Sequence, residues 1–209
     1  MVDVRLLRDA AISEANNGYN VHDHLKGCTV EQLQLLSQQS LKPFEVLCLN
    51  VLGDLNTGTI IRSSHLFGAR RVTIFGRRRI DNRGLVGAQN YTTVNKVEGL
   101  LEDGVTVDRA AFWRYIDQER LYPIFVEQGG TNVFEFSWYR AFLDAHSLGR
   151  TLCLIMGTEN SGIPADILSD VDMVDQAVSI PQKGVVRSHN VSMAFAVVCG
   201  QMIGQLGWY

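Results

Sequence analysis

Residues 151–181 read TLCLIMGTENSGIPADILSDVDMVDQAVSIP, and this stretch decides the fold. From Leu152 to Met156 every residue is apolar. The polar alternation of a strand with one wet face is missing, so the run predicts a strand buried on both faces. Gly157 closes it, a loop of Thr, Glu, Asn and Ser follows, and Pro164 opens a short helix reaching Ser169. DQAVSIP, 175–181, reads as the next strand.

The same alternation runs outward in both directions. FEVLCLNVL (44–52) is a buried strand, Thr57 to Phe67 a helix ended by Gly68, and RRVTIFG (70–76) a second strand. Arg109 to Gln118 is a helix, LYPIFVEQ (121–128) a strand and Ser137 to His146 a helix. His189 to Gln205 forms the last helix, apolar nearly all round and therefore buried. The expected fold class is α/β, a parallel sheet with helices on both faces. Ahead of Pro43, TVEQLQLLSQQS (29–40) is a helix with Thr29 as cap and Gln32 three residues on. The chain divides into a short helical N-terminal extension, residues 1–42, and an α/β domain, residues 43–209.

With 209 residues, 46% of them hydrophobic and 20% charged, the chain can bury one full core but not two large domains. Cys28, Cys48, Cys153 and Cys199 stand far apart with no C-x-x-C pair, so reduced buried thiols are expected rather than disulfides or a metal site. Residues 1–20 lack the apolar core of a signal peptide, and Asp3, Asp9 and Glu14 argue against a transit sequence. Val191 to Ile203 is too short to cross a bilayer. A cytoplasmic protein without membrane contact is expected.

A net charge of −3 does not suggest a nucleic-acid binder, but its distribution does. Between positions 62 and 83 seven arginines (62, 70, 71, 77, 78, 79, 83) stand against one acid, Asp81. Arg77, Arg78, Arg79 and Arg83, with Arg62, are the expected RNA contacts. A solvated turn explains the cluster equally well on charge alone.

In open parallel sheets ligands sit outside the carboxyl ends of the strands. The loops after Leu52, Met156 and Ile180 are rich in Gly, Asn, Ser and charged residues. The first, Gly53 to Thr59, spaces two glycines like a phosphate-cradling loop, yet Thr59 stands where that loop needs lysine. No two glycines in the chain are separated by a single residue, which removes the dinucleotide fingerprint. A cofactor without phosphates suits these loops better.

Three motifs occupy the three loops in order: Asn56-Thr-Gly58-Thr-Ile-Ile-Arg62; Ile155-Met-Gly157-Thr-Glu159-Asn160-Ser-Gly162-Ile163-Pro164; and Ile180-Pro181-Gln182-Lys-Gly184-Val-Val-Arg187-Ser188-His189-Asn190-Val191-Ser192. Together, over residues 43 to 206, they resemble the SPOUT superfamily, and within it the SpoU or TrmH-like branch of RNA 2′-O-ribose methyltransferases. The resemblance implies a deep trefoil knot in the C-terminal part, a homodimer, and S-adenosylmethionine bound bent among the knotted loops. It implies methyl transfer to a ribose 2′-hydroxyl, with IPQKGVVRS-x-NV favouring tRNA over rRNA. It assigns catalysis to Asn56, Arg62, Glu159, Ser188 and Asn190, and cofactor contacts to Ile155, Met156, Gly157, Ile180, Pro181, Gln182, Ser188 and His189. Two departures stand out: His189 occupies a position usually held by leucine, and the first forty residues do not look like the separate RNA-binding domain of many relatives. Two other readings are a non-catalytic dimeric RNA-binding protein with a vestigial cofactor site, which the intact motif residues oppose, and a base-methylating SPOUT enzyme, which the first motif disfavours.

Physical chemistry narrows the roles. A guanidinium keeps its proton up to about pH 12, so Arg62 is a poor base; its planar fork suits an RNA phosphate and an incipient alkoxide. Asn56 can cap the helix it opens, and Glu159 can accept bonds from Arg62, from backbone N–H groups or from substrate. Ser188 and Asn190 sit at the head of the last helix, where N–H groups favour negative charge. An ordinary N-cap is the competing reading of Ser188, whereas Asn190 stands one or two positions too far in to cap well. His65 is expected to pack, His22 and His24 to lie in a surface loop, and Gly200 and Gly204 to permit close helix approach, in a dimer or on the sheet.

Overall fold

The computed structural model describes residues 20–50, 55–76, 82–158 and 161–209. Arg77, Arg78, Arg79 and Glu159 lie outside the described residues, as do residues 1–19 and 51–54.

Among the described residues six strands form one sheet in the order β3-β2-β1-β5-β4-β6: β1 (Phe44–Asn50), β2 (Val72–Gly76), β3 (Val94–Val97), β4 (Leu121–Asn132), β5 (Thr151–Met156) and β6 (Ala177–Ser179). Every pairing is parallel. Successive residues of a strand point to opposite faces, and β1 shows why Val46 to Leu49 are all apolar. Phe44, Val46 and Cys48 enter one core, with α2 (Leu55–Leu66), α4 (Trp138–Ser147) and α6 (Val191–Leu206). Leu47 and Leu49 enter the other, with α3 (Arg109–Gln118) and α5 (Ala165–Leu168). With both faces covered by helices, a polar side chain at the centre of the sheet needs a partner: Glu45 is bonded by Arg71, and the Thr73 hydroxyl lies 2.9 Å from the Tyr115 hydroxyl. All four cysteines are buried and none is in a disulfide. Among the described residues no helix is long and apolar enough to cross a membrane.

Helix α1 (Val30–Gln39) begins at the expected capping box: the Thr29 hydroxyl accepts from Gln32 N, and the Gln32 side chain accepts from Thr29 N at 2.8 Å. It docks through Gln34 Nε2, which donates to Asn90 O, and Ser37 Oγ, which donates to Tyr91 O.

Two strand features were not expected from the sequence. β3 carries Asn95 and Lys96 between its valines and pairs only with β2, so an edge position leaves it without the two-sided apolar signal. β4 continues past Gln128 to Asn132, and its register on β6 shifts between Val126 and Thr131. The residues between swing outward, with Gly129 at φ +86°. Arg71 is withdrawn from any RNA surface, because its guanidinium bridges Glu45 at 2.8 Å and Glu119 at 2.7 Å.

Candidate active site

A cleft of ≈ 270 Å³ opens at the carboxyl ends of β4, β5 and β6. Met156, Val178, Ile180, Val191 and Ala194 supply its apolar lining; Glu127, Gln128, Thr158, Arg187, Ser188 and His189 are among its polar ones.

The wall after β5 is a tight loop. Thr158 N donates to Gly162 O at 3.0 Å and Gly162 N to Thr158 O at 3.1 Å. A Cβ on Gly157 would lie 2.5 Å from the Gly162 carbonyl carbon, and Gly162 itself has φ +67°. Both glycines are therefore required by backbone meeting backbone, and the loop keeps its shape only without side chains there.

Two consecutive residues of the β4 excursion strap the other loops to this wall. Glu127 Oε2 accepts from Ile163 N at 3.0 Å, and Oε1 accepts from Gln128 N at 2.8 Å. Gln128 Nε2 donates to Arg187 O at 2.8 Å, fixing the exposed 181–190 loop. Neither residue was singled out from the sequence. The signal was present, since Glu127-Gln128-Gly129-Gly130 also follows a buried strand, and the strand-end rule applies to it as well.

At the head of α6 the structure reverses the expected capping. Asn190, not Ser188, is the N-cap: its Oδ1 accepts from Ser192 N at 3.0 Å and Met193 N at 3.3 Å. A short side chain reaches those N–H groups from the residue just before the helix, and extended backbone persists up to Asn190, at ψ 136°. Asn190 Nδ2 donates to Asn56 Oδ1 at 3.0 Å, joining the first motif to the third. The Ser192 hydroxyl is 2.7 Å from Asn190 Oδ1 and 3.3 Å from Asn56 Oδ1. Ser192, a polar residue in the first turn of an apolar helix, completes a three-residue cluster. Asn56 lies within the first turn of α2 rather than ahead of it.

Replacing Asn190 by alanine removes the cap, a loss of about 1 kcal/mol in typical cases. For a domain of this size that is a fall of ~2–4 °C in melting temperature. Asn190→Asp, which keeps the acceptor, should restore most of it in thermal denaturation.

Of the residues expected to hold a cofactor, Met156, Gly157, Ile180, Gln182, Ser188 and His189 line the cleft. Ile155 points into the core on the opposite face and Pro181 is exposed beside the lining, so either could contribute only through its backbone. Arg62 is not at the cleft. It is exposed on α2 and lines a second groove, between α1, α2 and residues 86–91. Arg83 is exposed in the 3₁₀ turn Asn82–Gly84, which packs on α2. His65 packs against Tyr91, with ring centroids 5.9 Å apart. Among the described residues no cluster of His, Cys, Asp or Glu could hold a metal ion.

Fold and cleft together define a doubly covered parallel-sheet protein whose ligand site is built from strand-end loops and the head of its last helix. Residues 43–200 match the SpoU rRNA Methylase family, and the chain belongs to that family. No curated protein sequence matches it. Among solved structures, the A. aeolicus TrmH/SpoU tRNA modifying enzyme is 18% identical with a TM-score of 0.62, over 86% of this chain and 85% of that one. The AdoMet-bound rRNA methyltransferase of Sinorhizobium meliloti is 19% identical with a TM-score of 0.57, over 83% and 60%. An RNA 2′-O ribose methyltransferase is 18% identical with a TM-score of 0.59, over 79% and 58%. The chain thus spans about three fifths of the length of several of the structures it resembles. At these identities they establish a shared fold.

Proposed function

We propose that this chain is an S-adenosylmethionine-dependent RNA methyltransferase acting on a ribose 2′-hydroxyl, of tRNA in preference to rRNA. The observation that carries the reading is the Asn190–Asn56 hydrogen bond, which joins the first and third motifs at the head of the helix that also lines the cleft. The cleft fits the cofactor. Its apolar lining suits an adenine, and the Gly157–Gly162 loop admits close backbone approach.

When bound, the cofactor supplies a methyl group already activated by its sulfonium charge. The chain has to hold the ribose oxygen in line with that methyl and stabilise the charge developing on the oxygen. Asn56, Ser188 and Asn190 are assigned to positioning at the head of α6, and Glu159 to the same site. Met156, Gly157, Ile180, Gln182 and His189 hold the cofactor, with Ile155 and Pro181 contributing backbone. Arg62 grips phosphate and steadies the incipient alkoxide. Because it stands outside its own chain's cleft, the RNA or a second subunit has to bring it to the cofactor. A homodimer supplies the second. Met193, Val197, Gly200 and Gly204 run along α6 at i, i+4, i+7 and i+11, all exposed, with Met193 at 60%. That stripe supports a helix-to-helix interface. Residues 43–209 form the catalytic domain in this reading, with a knotted C-terminal part, and residues 1–42 an extension of it.

S-adenosylmethionine and its demethylated product are expected to bind in calorimetry with chelator present. No heat from either, alongside tight binding of ATP or NAD, overturns the reading. Tritiated methyl transferred to total RNA should appear in alkali-resistant dinucleotides, since a 2′-O-methyl removes the hydroxyl that alkaline cleavage needs; label in mononucleotides would mean base methylation. RNA affinity is expected to fall with salt, and replacing Arg77, Arg78 and Arg79 together by glutamine should flatten that dependence while leaving cofactor affinity unchanged. An unaltered slope in filter binding would place RNA elsewhere.

A further inference from the structure

The second groove, ≈ 450 Å³, is larger than the cofactor cleft, and nothing in the proposed chemistry uses it beyond Arg62. Leu36 of α1, Leu66 of α2 and Val86 give it apolar walls. Tyr91 and His65 form an aromatic pair along it, tilted by 37°. Burial pushes the His65 imidazole below its usual range, so at neutral pH it presents an uncharged ring. Arg62 is the strong cation in its lining, and among the described residues no carboxylate lines it. Apolar walls, aromatic rings and an unopposed cation are complementary to a nucleotide, whose base seeks stacking and whose phosphate seeks a guanidinium.

Val86 adds a separate observation. It has φ +46°, a left-handed conformation that β-branched residues adopt least of all, and it is 47% exposed. Core packing does not account for holding an exposed valine there. Its place on the lip of the groove does, because strain of this kind collects at ligand sites.

We propose that the groove takes one unstacked base of the substrate RNA, lying along Tyr91 and His65 against Leu36, Leu66 and Val86, with the adjoining phosphate on Arg62. The proposal rests on the methyltransferase reading and names a substrate subsite for it. The base bound there is a neighbour of the methylated nucleotide, so its contacts with the rings and apolar walls, unlike those of Arg62, contribute binding that is equal in the ground and transition states.

The test uses the full chain carrying Leu66→Ala or Val86→Gly. Leu66 is 72% exposed and glycine accepts the φ of residue 86, so both variants should fold. The KM for total tRNA should rise at least ~5-fold in each, the low end for a lost base contact, with kcat at saturating tRNA and cofactor affinity unchanged. Filter binding of the same tRNA without cofactor should weaken in parallel. A KM and tRNA affinity within twofold of wild type in both variants overturns the subsite. Under that result, a fall in sedimenting mass would assign the groove to a second copy, and a fall in melting temperature alone would assign it to the chain's own residues. If the wild type transfers no methyl group to any RNA, the methyltransferase reading fails, and filter binding with the two variants still decides the groove.

Discussion

Arg62→Ala is expected to slow single-turnover methyl transfer by ~10²–10³-fold or more, the loss typical of one donor removed from a developing oxyanion. Folding by circular dichroism and S-adenosylmethionine affinity should both be unchanged, because Arg62 is exposed on α2 and is not among the residues that line the 270 Å³ cleft. Arg62→Lys should recover little. An ammonium keeps the charge but loses the planar two-point grip on phosphate. The separation of Arg62 from its own cleft adds a sharper arm. If an active site combines Arg62 of one subunit with the cleft of its partner, mixing the Arg62→Ala chain with one disabled in the cleft should restore activity. Random mixing makes half the dimers mixed, each with one intact site, or about a quarter of wild-type turnover. No recovery would mean that Arg62 acts on RNA bound to its own chain. Near-normal single-turnover rates in Arg62→Ala would remove it from catalysis altogether.

The contrast between these two residue sets shows where the sequence is informative. The central strands were legible because two covered faces favour apolar residues at successive positions: β1, β4 and β5 contain VLCL, LYPIFV and LCLIM, with Glu45 of β1 the charged exception. β3 was not, because an edge strand with one neighbour needs no such run. The Thr29 and Gln32 capping box could be read because both partners lie within one turn. At the head of α6 the same logic failed by two residues, since the sequence does not mark where extended backbone gives way to helix between Ser188 and Val191. Motif residues at strand ends were legible as types, and six of those assigned to the cofactor do line one cleft. What joins them was hidden. Glu127 reaches Ile163 across 36 positions and Asn190 reaches Asn56 across 134, and such pairings follow from strand order, which pattern alone does not give. The groove at Arg62 was hidden for the same reason, being assembled from α1, the far end of α2 and a strained turn at Val86.

Gly157→Ala is expected to weaken S-adenosylmethionine binding by ~10–100-fold. The added methyl would sit 2.5 Å from the Gly162 carbonyl carbon and 2.8 Å from Ile163 N, both backbone atoms rather than a side chain that can turn away. The loop therefore has to move, and moving it breaks the paired Thr158–Gly162 bonds and the bond from Ile163 N to Glu127. Overpacking of this kind costs ~1–3 kcal/mol. Its effect falls mainly on the ligand, because the free chain can open the loop toward solvent, whereas the bound form needs Thr158, Ser161 and Gly162 in place along the cleft. Melting temperature without cofactor should accordingly fall by only a few degrees, ~2–4 °C per kcal/mol. Gly184→Ala is the control from the third motif: a Cβ there meets nothing within 4 Å, so affinity and stability should both hold. Calorimetry on the two variants separates the cases. Equal cofactor affinity in Gly157→Ala and wild type would mean that the loop after β5 is not the cofactor wall, and that the 270 Å³ cleft serves some other ligand.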